Sequence, residues 1–198
     1  MAKIGFLLLC GGKSTRMESP KALLEVNGRT LLHAVAAAGA DFDERILSVN
    51  DPVIPTPDGF VRCADRYFDC GPMAGIHAAL SMTRCDALVT ASCDAPYYSA
   101  SLAGMLREQY DWQLDALVLV DHAGRPQPLY SVYNKSCLPV LEEHLKAGKH
   151  KLMWMLEDMK LRKIELPDYL PQRVFYNLNT IEEFRSFKRQ IECEALPH

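Results

Sequence analysis

Apolar and polar positions fall in alternating blocks along this chain, and the blocks read as strands separated by helices. Ile4 to Cys10 is an apolar run that stops at Gly11-Gly12 and gives way to a polar, basic stretch, the pattern of a buried strand handing over to a loop. Lys21 to Val26 runs to the Asn27-Gly28 turn signal, and Thr30 stands where it can cap an alanine-rich helix over 31–38 that Gly39 closes. Arg45 to Val49 is a second buried strand. Strand, helix, strand at this spacing is a βαβ unit with parallel strands.

Prolines 52, 55 and 57 make an extended connection to a short strand over 61–64, which stops at Asp65. Gly71-Pro72 opens a helix carried by Met73 to Met82, with proline at a first-turn position. The apolarity of Asp86 to Ala91 predicts the central strand, ending at Ser92-Cys93-Asp94-Ala95-Pro96. Beyond it come a helix over 99–109, a buried strand over 115–120, and Gln127 to Tyr133, which alternates like a half-exposed strand. Helices follow over 134–146 and 152–157, with strand candidates at 162–166 and 173–176. Thr180-Ile181-Glu182-Glu183 is a capping box that opens a final helix to about Cys193.

Strands alternating with helices predict a single three-layer α/β domain over residues 1–198, with a mostly parallel, Rossmann-like sheet. Ligands of such sheets bind beyond the carboxyl ends of the strands, where the strand order reverses. Gly11, Asn50, Asp65, Asp94 and Asn177 each follow a predicted strand, so the fold is expected to bring them to one rim.

Composition narrows the function. With 198 residues, 48% of them hydrophobic, the chain can bury a real core, and a formal charge of -3 gives no global basic field of the kind nucleic-acid binders use. No apolar run approaches membrane-spanning length, and the short N-terminal one lacks a small-residue cleavage site. Seven cysteines, an odd number without a C-x-x-C pair or zinc spacing, fit a reducing, cytoplasmic compartment and small buried side chains.

The chemistry concentrates after the first strand. Gly11 and Gly12 lack Cβ atoms, so the main chain can bring N–H groups up to an anion, and Lys13, Arg16 and Lys21 add positive charge in one short segment. A Walker A loop needs glycine where Leu7 stands, and the dinucleotide fingerprint needs a third glycine that does not come until Gly28. A phosphate chain remains the natural partner, with a merely basic βα turn as the plain alternative. Asp94, past an apolar strand and facing such phosphates, suits Mg²⁺, which prefers one or two carboxylates together with phosphates and water; a turn-capping aspartate is the alternative.

The pattern L-x-G-G-x-S-x-R-M-x-x-x-K-A-L-L, from Leu9 to Leu24, resembles the signature of nucleotidyltransferases with a glycosyltransferase-A-like α/β fold, and in particular the molybdenum cofactor guanylyltransferase family. Cys93-Asp94-Ala95-Pro96 resembles that family's magnesium-binding C-D-x-P, and Gly71-Pro72-Met73-Ala74-Gly75-Ile76 its G-P-x-A-G-I segment. Asn177-Leu178-Asn179-Thr180 is similar to its N-x-N-T, and 124–129 and 148–151 are similar to further segments whose basic residues would meet the acceptor. Glu18 departs from the family's usual glycine, and Cys10 from a common alanine.

The resemblance implies nucleotide contacts at Leu9, Cys10, Gly11, Gly12, Asn50 and Asp65, charge neutralisation by Lys21 and Arg16, and Mg²⁺ on Asp94. It implies transfer of GMP from GTP to the phosphate of molybdopterin, with molybdenum already inserted, and release of pyrophosphate. Molybdoenzyme apoproteins or other cofactor-synthesis proteins would be partners, and nucleic acid and membranes would not. A cytidylyltransferase for the same cofactor, a sugar-phosphate nucleotidyltransferase and a non-catalytic cofactor carrier are the alternatives.

Overall fold

In the computed structural model, which describes residues 2–11 and 20–194, the chain runs β1 (Ile4–Leu9), a small hairpin of β2 (Glu25–Val26) and β3 (Arg29–Thr30), α1 (Leu31–Ala36), β4 (Arg45–Ser48), β5 (Val61–Cys63), α2 (Pro72–Met82) and β6 (Ala87–Ser92). It continues through α3 (Ala100–Gln109), β7 (Ala116–Val120), β8 (Pro126–Asn134), α4 (Leu138–Lys146), α5 (Leu152–Glu157), β9 (Leu161–Glu165) and α6 (Ile181–Glu194). Among the described residues one seven-stranded sheet has the order β5-β4-β1-β6-β8-β7-β9, placing β6 at its centre as its apolarity predicts. Pairings are parallel except on both sides of β8.

Both faces of the sheet are covered, so the inner strands are buried along nearly their whole length and carry apolar runs, broken by Ser48, Thr90 and Ser92, rather than an alternation. Phe6 and Leu8 of β1 point into a core shared with α1 and α3, while Leu7 and Leu9 point into a second core shared with α2, α4 and α5. Phe6, Leu7 and Leu8 are fully buried, each contributing roughly 1.5–3 kcal/mol relative to exposure. A third cluster joins α6 to the start of α1 through Leu31, Leu178, Phe184 and Phe187.

Local signals act where they are read. Asn27 and Gly28 both take positive φ in the hairpin, Thr30 Oγ1 accepts from His33 N, and Ser99 Oγ accepts from Leu102 N. Thr180 and Glu183 form the reciprocal capping box, with Glu183 N donating to Thr180 Oγ1 at 3.1 Å and Thr180 N to Glu183 Oε2 at 2.9 Å.

Four expectations are corrected. Residues 173–176 form no strand: Gln172–Phe175 is a 3₁₀ turn, with Val174 N bonded to Pro171 O, a start that proline favours and a ladder does not. β8 is not half-exposed along its length, because it lies inside the sheet, and Tyr130 to Tyr133 are buried. Asn134 is not the first residue of a helix; its side chain caps a 3₁₀ turn, Lys135–Cys137, that leads into α4. Gly39 does not close the first helix, which ends at Ala36 and passes into a 3₁₀ turn, Ala37–Gly39; the glycine lies against Phe6, where a Cβ would sit 2.5 Å from Cδ1.

Candidate active site

The chain leaves β1 toward β4 and β5, then crosses back to lay β6 on the other side of β1. The strand order therefore reverses between β1 and β6, and at their carboxyl ends the connecting segments diverge and leave a crevice. A cleft of about 890 Å³ opens there. It is lined by Leu9, Cys10, Gly11, Lys21, Asn50, Asp65 and Asp94, seven residues that come together from five separate stretches of sequence. Gly12 and Arg16, expected to join them, lie outside the described residues, as do Lys13 and Glu18.

At the β6 side of the cleft, Ser92 Oγ donates to Asp94 Oδ1 at 2.6 Å, and Oδ2 has no partner among the described residues. Leu178 N donates to the main-chain oxygen of Asp94 at 2.8 Å, which brings residues 177–179 to the rim without the strand expected before them. Lys21 stands nearby, its Nζ donating to Asn179 Oδ1 at 3.2 Å. A carboxylate with an open oxygen and an ammonium held by a neutral amide thus share this side.

On the β4 and β5 side, Asn50 and Asp65 satisfy each other. Asn50 Nδ2 donates to Asp65 Oδ2 at 2.8 Å, Asp65 N donates to Asn50 Oδ1 at 2.9 Å, and Ser48 Oγ reaches Asp65 Oδ1 at 3.4 Å. Arg62 fastens the following loop by donating to Asp51 O at 2.5 Å and Ile54 O at 2.8 Å. Gly75 lets α2 approach, because a Cβ there would lie 2.5 Å from Ser48 Oγ and 2.8 Å from Leu9 Cδ2.

Cys10 and Cys93 close the floor, each buried. The Cys93 thiol is held well above the ordinary range, first by its hydrogen bond with Cys10 and then by burial, so it adds no negative charge where an anion would lie. All seven cysteines are free, six of them buried.

Sequence reasoning did not single out Ser48, Ser92 or Phe68. Ser48 and Ser92 each interrupt an apolar run just before a candidate, a polar signal that could have found them; Phe68, 77% exposed on the cleft wall, carried no pattern. Of the further resembling segments, 124–129 brings Leu129 to the cleft, while Arg125 is engaged by Asp121 at 2.8 Å. His150 of the 148–151 segment meets Cys70 Sγ at 3.3 Å, next to the Gly71 turn that lines the cleft. Among the described residues no three His, Cys, Asp or Glu side chains gather as a metal cage, and no helix is long and apolar enough to cross a membrane.

Residues 6–163 match the family model of the MobA-like NTP transferase domain. A probable molybdenum cofactor guanylyltransferase of Clostridium perfringens is 28% identical over 202 residues, which cover 97% of this chain and 100% of that protein. Among solved structures, molybdopterin-guanine dinucleotide biosynthesis protein A from Archaeoglobus fulgidus superposes with a TM-score of 0.80 at 22% identity, covering 96% of this chain and 99% of that one. Rv0371c from Mycobacterium tuberculosis, in complex with manganese, superposes with a TM-score of 0.67 at 20% identity, covering 95% and 99%. With four-fifths of its length matched by the family model and its cleft at the switch point of the shared fold, this chain belongs to the MobA-like NTP transferase family and is a nucleotidyltransferase.

Proposed function

We propose that this protein transfers GMP from GTP to the terminal phosphate of molybdopterin, releasing pyrophosphate and forming the guanine dinucleotide form of the cofactor. The observation that carries this reading is the single cleft shared by Gly11, Lys21 and Asp94, with Asn50 and Asp65 at its other side. The name of the Clostridium perfringens relative supports the substrate pair.

The reaction is an in-line displacement between two anions, opposed by charge repulsion, so the protein's task is positioning and charge neutralisation. Main-chain N–H groups after β1 approach the phosphates, which the missing Cβ of Gly11 allows; among the described residues none stands within 4 Å of that position. Lys21 exchanges the neutral oxygen of Asn179 for phosphate oxygens. Asn50 and Asp65, locked to one another, present a fixed polar edge to the nucleoside. The acceptor phosphate is already ionised near pH 7, so no general base is required.

A divalent ion fits what stands there. Among the described residues Asp94 offers one carboxylate oxygen without a partner and no cage of three ligating side chains forms, the arrangement of an ion held by one carboxylate plus phosphate oxygens and water, as Mg²⁺ is. The manganese bound by the Mycobacterium tuberculosis neighbour supports such an ion here. Bound there, it would supply Lewis-acid neutralisation of the reacting phosphates.

Thermal melts with GTP, CTP, ATP and UTP, each with Mg²⁺, test the nucleotide. A ligand at 100 times its Kd stabilises by about 2.7 kcal/mol, so GTP should raise Tm most. Pyrophosphate release from GTP that requires molybdopterin completes the test. CTP preference would select a cytidylyltransferase, and molybdopterin binding without pyrophosphate release a carrier.

A further inference from the structure

β8 loses register with β7 where the cleft opens. Val118 pairs with Ser131 but Leu119 pairs with Gln127, so Pro128, Leu129 and Tyr130 leave the ladder as a bulge. Tyr133 Oη donates to Pro128 O at 2.8 Å and Ser131 Oγ to Gln127 O at 3.2 Å, holding the bulge in shape. The excursion carries Leu129 to the cleft wall and leaves Tyr130 buried, 1% exposed, with ring centroids of Tyr98 and Phe175 at 5.5 and 5.2 Å.

The hydroxyl of this fixed ring donates to Asn177 Oδ1 at 3.0 Å. One residue further, Leu178 N is bonded to the main-chain oxygen of Asp94 at 2.8 Å, so Asn177 is tethered from two sides, by its own side chain and by the backbone next to it. With Oδ1 accepting from Tyr130, the NH₂ group of the Asn177 carboxamide has no partner among the described residues. An NH₂ group donates, and so suits a phosphate oxygen; a free amide oxygen would suit a cation instead.

We propose that Tyr130 is a positioning residue for nucleotidyl transfer, one that takes the oxygen of the Asn177 carboxamide and so leaves the NH₂ group to donate to a reacting phosphate beside Asp94. This role rests on the nucleotidyl-transfer reading above. Phenylalanine would fill the same space between Tyr98 and Phe175; what the hydroxyl adds is the bond to Asn177. Without it the carboxamide is free to turn, and half of its orientations present an oxygen to an anion.

Tyr130→Phe, Asn177→Ala and the double variant test this through steady-state pyrophosphate release with GTP, Mg²⁺ and molybdopterin, alongside thermal melts. Tyr130→Phe should lower kcat about 3- to 10-fold, the effect of one neutral hydrogen bond, with the KM for GTP within about twofold because Asn50 and Asp65 are untouched. In the Asn177→Ala background the same change should cost nothing further. Asn177→Asp, which replaces the donor by an anion, should lose at least as much as Asn177→Ala. Wild-type kcat in Tyr130→Phe, or an equal loss with and without Asn177, overturns the role. A wild-type protein that releases no pyrophosphate overturns the nucleotidyl-transfer reading and this role with it, whereas an active wild type with an indifferent Tyr130→Phe overturns this role alone.

Discussion

Lys21 Nζ and Asn179 Oδ1 meet at 3.2 Å across 158 positions of sequence, tying the segment after β1 to the turn before the last helix. The bond is to a neutral acceptor, so it orients the ammonium without neutralising it, and an incoming phosphate can displace the amide. Lys21→Met should lower kcat/KM for GTP about 10- to 100-fold, the range for one charge-assisted contact, and Lys21→Arg should recover part of the loss. Initial-rate kinetics with varied GTP check this.

Asp94 holds the fold through its main chain and is available for chemistry through its side chain. Because Leu178 N bonds the backbone oxygen, Asp94→Ala should leave Tm within a few degrees while pyrophosphate release falls by about 10²–10³-fold. A chelator should silence the wild type and added Mg²⁺ restore it. Retained activity in Asp94→Ala would remove the metal assignment.

Gly39 faces the ring of Phe6, which is fully buried and sits with Phe42 at 5.5 Å and Tyr98 at 6.2 Å. Gly39→Ala would set a methyl 2.5 Å from Cδ1 and 2.9 Å from Cγ, so the ring or the turn must shift. The expected destabilisation is about 1–3 kcal/mol, read by denaturant titration. An unchanged midpoint would mean that the helix end, not the packing, fixes this glycine.

Glu44 anchors the turn before β6 by accepting from Thr83 Oγ1 at 2.7 Å, Arg84 N at 3.0 Å and Cys85 N at 3.1 Å. Burial pushes its carboxyl upward, but these bonds outweigh burial and hold it below its ordinary value of 4.5. A lowered folded value contributes stability that is fully present above the unfolded value and is lost as pH falls through the folded one. The stability gap between wild type and Glu44→Gln should therefore be constant from neutral pH down to about 5 and shrink below that. Melting curves between pH 3 and 7 measure it, and a gap that widens on acidification would reverse the sign.

Much of the architecture is legible because its causes are local. Caps at Thr30, Ser99 and Thr180 need only a side-chain oxygen and N–H groups two or three residues on, and the Asn27-Gly28 turn needs only two residues that accept positive φ. The apolar runs at β1, β4, β6 and β7 announce burial on both faces, and their ends mark where Gly11, Asn50 and Asp94 emerge. The misreading at 173–176 came from Val174, Phe175 and Tyr176, residues that suit strands, while their backbone bonds follow Pro171 into a tight turn.

The sequence by itself determined the order of strands and helices as far as β9 and the residue types suited to phosphate and metal, because these depend on neighbours along the chain. Only the tertiary structure decided that β8 runs inside the sheet, that its bulge carries Tyr130 to Asn177, and that Lys21 reaches Asn179. Those relations depend on which strands lie side by side, a choice made by the summed burial of two cores rather than by any one segment.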